Sequence, residues 1–455
     1  LEDQHEGHRI PIKMSVPNPP TNLTNDEEPE IDYLPMKRIE KLERYRNGGY
    51  HPVQLGDILG KHYRVVQKLG FGTYSTTWLA IDIITNRYVA VKVGAGYSNS
   101  VEVDVITCLQ TSSSFDASAI RTVIPPVFDA FEIEGPNGKH PCYVTAVGGA
   151  NLESAKSNSH KRLFPLDVAR AMAAQLVIAV THVHEKGFVH GDVNLSNVVQ
   201  RLPFNIDELS VEAIYEEFGD PVRRPILRVD DQPLTAAIPI EGIEPIWLGK
   251  TCDEITLPGA RIMLIDFGES YVPSLQARHE SNAPSAYQPP EALWSTRTPM
   301  TFSSDIWTLA CSLWDLVAWF PLFKSYFSAQ DNITAEQVSV LGRLPPGWWA
   351  AWGRKFDAAR RRFDLEGKPM QAVRYPDMET RFEHAIQQPR RDRGMEAMGD
   401  EEKEAFLSML RSMLVFRPEG RVTAQQVLES EWMARWGLPE YGKVREHHGE
   451  GHCEI

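Results

Sequence analysis

The run His190-Gly191-Asp192-Val193-Asn194-Leu195-Ser196-Asn197 carries a carboxylate and, five positions on, a carboxamide, directly after the apolar Gly187-Phe188-Val189. That spacing suits phosphoryl transfer, in which the aspartate accepts the proton of an attacking hydroxyl and the asparagine helps to hold Mg²⁺. A helix-capping or turn aspartate is the plainer alternative for Asp192. A cap, however, needs neither the asparagine nor a second metal-binding motif. Such a motif follows: Arg261-Ile262-Met263-Leu264-Ile265 reads as a buried strand leading into Asp266-Phe267-Gly268. This is the context of a carboxylate that bridges Mg²⁺ to phosphates. Asn197 and Asp266 would form the metal pair, an oxygen donor set that suits Mg²⁺ because this ion keeps several waters and takes phosphate oxygens as further ligands.

Two upstream stretches would position the phosphates. Leu69-Gly70-Phe71-Gly72-Thr73-Tyr74-Ser75 lies between two expected strands rather than between a strand and a helix. That placement disfavours a dinucleotide fingerprint and suits a flap whose backbone amides lie over nucleotide phosphates, although an ordinary glycine turn would look the same. About twenty residues later, Val89-Ala90-Val91-Lys92 reads as a strand delivering a lysine to the α- and β-phosphates. A lone lysine at a strand end is usually a solvated charge, so this one needs a carboxylate partner. Glu102 is the candidate and Asp104 the reserve. The stretch Val101-Glu102-Val103-Asp104-Val105 alternates apolar and acidic residues, which reads as a strand more than a helix.

The elements that must hold these groups fall into two textures. From Tyr63 onward, β-branched and alternating runs separated by turn residues predict an antiparallel meander, with further strands at Val127–Ile133 and Tyr143–Val147 around the turn Gly135-Pro136-Asn137-Gly138. After Gly148-Gly149 the pattern becomes helical, with Leu166, Ala169, Met172, Ala173, Leu176, Val177 and Val180 recurring at three and four. Later helices are expected at Ser304–Trp319, Glu401–Leu414 and Thr423–Trp432. Seven prolines between 203 and 258 mark an acidic insertion with short elements of its own, part of it loose. Residues 1 to about 45 read as an extended or disordered arm, and the tail beyond Trp436 as polar and frayed.

Composition narrows the class. A chain of 455 residues with 42% hydrophobic content can bury a large core. The net charge of −14 disfavours non-specific nucleic-acid binding and suits basic partners. The five cysteines have no C-x-x-C spacing, which indicates neither a disulfide framework nor a zinc site and points to a reducing compartment. The most apolar stretch, Ala169 to Val183, is interrupted by Arg170, Gln175, Thr181 and His182, so no bilayer-spanning run is expected. The first residue is Leu1, which reads as a trimmed or processed start.

Taken in order, Gly70-x-Gly72, Val89-Ala90-Val91-Lys92, His190-Gly191-Asp192, Asn197 and Asp266-Phe267-Gly268 resemble the motifs of eukaryotic protein kinases. Pro289-Pro290-Glu291, Asp305-Ile306-Trp307 and Arg421 match the family's later marks. The resemblance spans about residues 60 to 436. Within the superfamily, Lys68 to Ala80, Leu344-Pro345-Pro346-Gly347-Trp348-Trp349 and the insertion resemble fungal SR-protein kinases.

The resemblance implies an α+β, bilobal protein kinase fold: an antiparallel-sheet N-lobe over 46–150 and a mainly helical C-lobe over 151–437 with a spacer at about 203–258. A tail over 438–455 follows. It implies ATP and Mg²⁺, with Asp192 as base, Lys92 and Asn197 beside it, and the nucleotide held by Leu69 to Ser75, Thr77, Ala90, Lys92 and Glu102. Thr145 would be the gatekeeper, and Ala146, Val147 and Gly148 the hinge. Arginine/serine-rich protein substrates, a monomeric enzyme, a cytoplasmic or nuclear location, no direct nucleic-acid partner and no membrane are the accompanying expectations.

Three residues depart from the usual pattern. Gly191 replaces the arginine that in many kinases receives an activation-loop phosphate, Asn194 replaces a lysine that contacts the γ-phosphate, and Gln288 stands where an arginine is common. Two rival readings stay open: a small-molecule phosphotransferase resembling aminoglycoside kinases, and a pseudokinase scaffold. Asp207-Glu208, Glu212, Glu216-Glu217, Asp220 and Asp400-Glu401-Glu402 are candidate acidic surfaces for a basic substrate, each otherwise a solvated face. The basic run Arg354-Lys355 and Arg360-Arg361-Arg362 reads equally as a helix face, a targeting signal or a docking contact.

Overall fold

The computed structural model describes residues 33–98, 101–110, 122–295, 298–323, 330–370 and 376–449. The alternating runs after Tyr63 form the expected meander. Strands β1 (Ile58–Leu59), β2 (Tyr63–Phe71), β3 (Ser75–Asp82), β4 (Arg87–Gly94), β5 (Val127–Gly135) and β6 (Gly138–Thr145) make an antiparallel sheet of order β1-β2-β3-β4-β6-β5. The period of two on β4 sends Val89, Val91 and Val93 into a core with Val65, Trp78, Ala80 and Val144. Ala90 and Lys92 therefore face the other way, toward the junction with the helical lobe. Gly138 makes the β5–β6 turn at φ +113°, which a side chain would strain.

Val101–Leu109 is a helix, α1, not a strand. Glu102, Val105, Ile106 and Leu109 are its buried residues, spaced as one helical face. The acidic residue belongs to the buried stripe because it meets Lys92, and counting it as surface is what makes the stretch look like a strand.

In the larger lobe, β7 (Gly148–Asn151) leads into α2 (Leu152–Ser157), where the Asn151 side chain caps the Ser154 amide at 2.7 Å. Helix α3 (Leu166–Glu185) is buried along most of its length. Among the described residues it is long and apolar enough to cross a membrane, yet 94% of that window lies inside the protein. It is a core helix, apolar nearly all round for that reason. β8 (Val198–Arg201) precedes the insertion.

The insertion is packed rather than loose. Ser210 caps α4 (Val211–Phe218), and β9 (Arg223–Pro225) pairs antiparallel with β10 (Glu241–Ile243). Although threaded from the large lobe, it packs on the small one. Ile206, Ile214 and Leu248 bury against Val66, Leu79 and Ile81, while Ile243 enters the other face of the sheet. Tyr215 Oη donates to the Val66 carbonyl at 2.9 Å, and Asp207 accepts from the Tyr88 amide at 2.6 Å and Arg87 Nε at 3.0 Å. Val211, Ile214, Tyr215 and Phe218 recur at helical spacing after the Ser210 cap, while the other apolar residues of the insertion are scattered between prolines without a period.

Two further expectations are corrected. Within the supposed arm, residues 33–45 are ordered against the small lobe: Leu42 and Tyr45 are buried with Ile226 and Ile238 of the insertion. Buried Glu40 accepts from both Lys68 Nζ and Tyr45 Oη. Met36, Ile39, Leu42 and Tyr45 recur every third residue, but only Leu42–Arg44 is helical, a single 3₁₀ turn, and the rest of the segment is irregular. Residues 1–32 lie outside the described residues. In the tail, α7 (Leu438–His447, numbered after helices α5 and α6 below) buries Tyr441 and Val444 and packs on α3.

After the insertion, β11 (Ile262–Leu264) pairs with β8, and β8 with β7. The expected late helices are α5 (Phe302–Val317), α6 (Asp400–Met413) and the short Ala424–Leu428, which is capped at Glu429, after which a wide helical turn at Met433–Gly437 leads into α7.

Candidate active site

The junction of the lobes brings the singled-out polar residues together. Lys92 Nζ donates to both oxygens of Glu102, at 2.8 and 2.7 Å, and to Asp266 Oδ1 at 2.9 Å. Asp104 is exposed, so the pairing belongs to Glu102. Tyr143 Oη and the Phe267 amide also donate to Glu102 Oε1, at 2.9 and 3.2 Å, which fixes α1 against the segment after β11. Burial alone would lower the Lys92 pKa, but the Asp266 and Glu102 carboxylates reverse this and hold the ammonium well above its usual range. Lys92 in turn holds Asp266 below the usual carboxylate range. Phe267 is fully buried and packs on the His190 ring at 4.8 Å.

Asp305, near the N-terminus of α5, shapes the loop that carries Asp192. Its carboxylate accepts from the His190 amide at 2.7 Å and the Gly191 amide at 2.9 Å. Asn194 Nδ2 donates to Asp192 Oδ1 at 2.8 Å and Asn197 Nδ2 to Asp192 Oδ2 at 2.8 Å, so each carboxylate oxygen is held by an amide. Burial pushes the Asp192 carboxyl up, while His190 and these two amides oppose the rise. Asn194 does more than replace a lysine: its Oδ1 also accepts from the Ser196 amide at 2.9 Å and starts the turn Leu195–Asn197.

The other two departures have local causes. Gly191 sits at φ +85°, and a Cβ there would lie 2.6 Å from the Glu269 carbonyl oxygen. The loop and the segment after Gly268 cross too closely for any side chain, and mutual bonds between Val189 and Tyr271 hold the crossing. Arg278 Nη1 donates to that Glu269 carbonyl at 2.8 Å and lies over the Tyr271 ring at 4.5 Å, while Asn282 Nδ2 reaches Glu269 Oε1 at 3.0 Å. Gln288 Nε2 braces the same segment through the Ser281 and Ala283 carbonyls, at 3.1 and 3.0 Å. Glu291 and Arg421 form a fully buried two-point pair at 2.8 and 2.6 Å, with Ser304 Oγ donating to Glu291 as well.

A cavity of about 550 Å³ opens over these groups, within the usual range for small-molecule sites. Leu69, Gly70, Phe71, Gly72, Ser75, Thr77, Ala90, Lys92, Thr145, Ala146, Gly148, Asn197 and Asp266 line it. Thr73, Tyr74, Glu102 and Val147 do not; Glu102 lies behind Lys92 and reaches the site through it. The Thr73 carbonyl is turned to Tyr50 Oη and Arg44, Tyr74 is exposed beside Tyr97, and Val147 packs toward the insertion. Val199, Met263 and Ile265 form an apolar floor that the strand signals at 198–201 and 261–265 could have revealed. Arg38 and Glu244 to Leu248 also line the cavity, and no motif pointed to them.

A family profile described as the protein kinase domain matches residues 254–433. A serine/threonine protein kinase of Aspergillus fumigatus is 26% identical over 430 residues, covering 92% of this chain and 96% of its own. The serine/threonine-protein kinase SRPK of Physarum polycephalum is 27% identical, covering 87% and 91%. The chain is a protein kinase. Human SRSF protein kinase 3 is 36% identical to this kinase over 200 residues, 43% of this chain and 34% of that one. These likenesses make it an SR-protein-kinase-like serine/threonine kinase. A solved kinase-domain crystal structure superimposes on it with a TM-score of 0.55 at 18% identity, covering 84% of this chain and 98% of the other, which agrees with the bilobal α+β fold.

Several candidate acidic patches of the kinase are engaged internally. Asp207 pairs with Arg87, Glu401 with Arg435 at 2.6 Å, and Glu402 with Arg170 at 2.6 Å. In the basic run, Arg360 lies over the Trp349 ring, with Arg343 over the same ring.

Proposed function

We propose that this kinase transfers the γ-phosphate of ATP to serine hydroxyls in arginine/serine-rich protein segments, with Mg²⁺ as cofactor. The observation that carries the phosphoryl-transfer part is the convergence of Lys92 and Asp266 on one cavity wall, with Glu102 bonded to Lys92 behind it, beside an Asp192 held at both oxygens. The names of the relatives and the net charge of −14 support a basic substrate. Cys142, Cys252 and Cys311 are buried free thiols, which supports a reducing location, cytoplasmic or nuclear. The kinase is taken to act as a monomer on protein partners.

The donor set fits Mg²⁺. Asn197 spends its amide nitrogen on Asp192, so its carbonyl oxygen is the atom left for a cation, and Asp266 supplies a carboxylate. Two protein oxygens suit an ion that takes waters and phosphate oxygens as its further ligands. When bound, Mg²⁺ neutralises charge on the transferring phosphates. The chain's own contribution is electrostatic and positional. Lys92, kept charged by two carboxylates, meets phosphate oxygens. Asp192, oriented by Asn194 and Asn197, receives the hydroxyl proton as the serine oxygen attacks.

A library of serine peptides with and without flanking arginines tests the substrate. Preference for arginine-flanked serines is expected, and equal use of both sets would contradict the substrate class.

A further inference from the structure

The insertion crosses the mouth of the nucleotide cavity. Residues 244–250 run between the lobes: the Ile246 amide donates to the Lys68 carbonyl of β2 at 2.8 Å, and the Leu248 carbonyl accepts from the Ala150 amide at 2.5 Å. Lys68 immediately precedes the glycine flap and Ala150 follows the connection between the lobes, so the crossing spans roof to floor. Lys92 and Asp266, which would meet the phosphates, belong to the inner wall. The crossing therefore stands at the base and ribose end.

Its position is enforced rather than incidental. A Cβ on Gly149 would lie 2.6 Å from the Leu248 carbonyl oxygen, and one on Gly249 would lie 3.0 Å from the Ala150 backbone nitrogen. The two segments cross so closely that a side chain at 149 is excluded and one at 249 would force Ala150 to shift. Gln200 locks the far end, with Nε2 donating to the Lys250 carbonyl at 2.9 Å and Oε1 accepting its amide at 3.2 Å. Leu248 is buried under the small-lobe sheet. Trp247, between these anchors, is half-buried and lines the cavity.

We infer that the strap 244–250 is a working wall of the nucleotide site, with Trp247 packing against the base or ribose of the bound nucleotide. The inference rests on the nucleotide reading given above. An aromatic contact of this kind is worth about three- to tenfold in affinity.

Calorimetric titration of MgADP into the full chain tests it, using wild type, Trp247→Ala and Trp247→Phe. MgADP binding to Trp247→Ala is expected to be about three- to tenfold weaker, with Trp247→Phe near wild type. Unchanged affinity in Trp247→Ala would overturn the strap while leaving the nucleotide site intact. A wild type that takes up no MgADP would overturn the nucleotide reading itself, and the strap with it. Should Trp247→Ala fail to fold, hydrogen exchange on wild type decides instead. MgADP is expected to slow exchange across residues 244–248, and no slowing there would overturn the proposal.

Discussion

Asp192 is held by two amides, and the usual lysine near it is replaced by one of them. Removing the Asn194 side chain deletes a hydrogen bond to a charged oxygen, worth about 1.5–3 kcal/mol. Asn194→Ala is therefore expected to lower kcat by about tenfold or more while leaving KM for ATP nearly unchanged, in steady-state assays. A pH profile separates positioning from mere destabilisation. Asp192 must be ionised to accept a proton, and burial already raises its carboxyl, so activity is lost as pH falls through that raised value. The Asn194 amide opposes the rise, so Asn194→Ala should move the acid limb of kcat to higher pH. Asp192, Asn197, Lys92 and Asp266 were legible in the sequence because the chemistry fixes their types and spacings. The local work of Asn194 was not: that it bonds Asp192 and caps the following turn depends on a fold that places the two side chains together.

At the scale of elements, the segment between Phe267 and Glu291 is tied by protein groups at each step: Arg278 to Glu269, Gln288 to Ser281 and Ala283, and Glu291 to Arg421. Gly191 replaces the arginine that usually receives an activation-loop phosphate, and protein groups hold the segment instead, so exhaustive phosphatase treatment should leave the rate of a purified sample unchanged. Breaking the buried Glu291–Arg421 pair strands one charge in the core, at a cost of about 3–5 kcal/mol. Glu291→Ala should lower the denaturant midpoint accordingly, checked by chemical unfolding at constant m-value. Strands and long helices were readable from their periods of two and 3.6, with most ends shifted by a residue or two, although the strand expected from Tyr143 begins at Gly138 and the helix expected to reach Trp432 stops at Leu428. Helix α1 was not, since its buried face includes the charged Glu102, whose partner lies on another strand.

Across the whole molecule, the order of motifs predicted two lobes, and the structure adds a layer that the order did not reveal. Residues 33–50 and the insertion pack on each other and on the small lobe, joined by Leu42, Tyr45, Ile226 and Ile238 and by the buried Glu40–Lys68 pair. Apart from the helical spacing of Val211, Ile214, Tyr215 and Phe218, their apolar residues lie in short irregular segments, so tertiary contacts are what disclose the layer. This layer frames a site whose central claim is phosphate transfer by Asp192. The most direct test measures γ-phosphate transfer from MgATP to serine peptides alongside nucleotide binding, for wild type and Asp192→Asn. Asp192→Asn is expected to bind MgATP about as well as wild type but to transfer phosphate at least about a hundredfold more slowly. Equal transfer by the two proteins, or nucleotide binding without transfer by wild type, would contradict that claim.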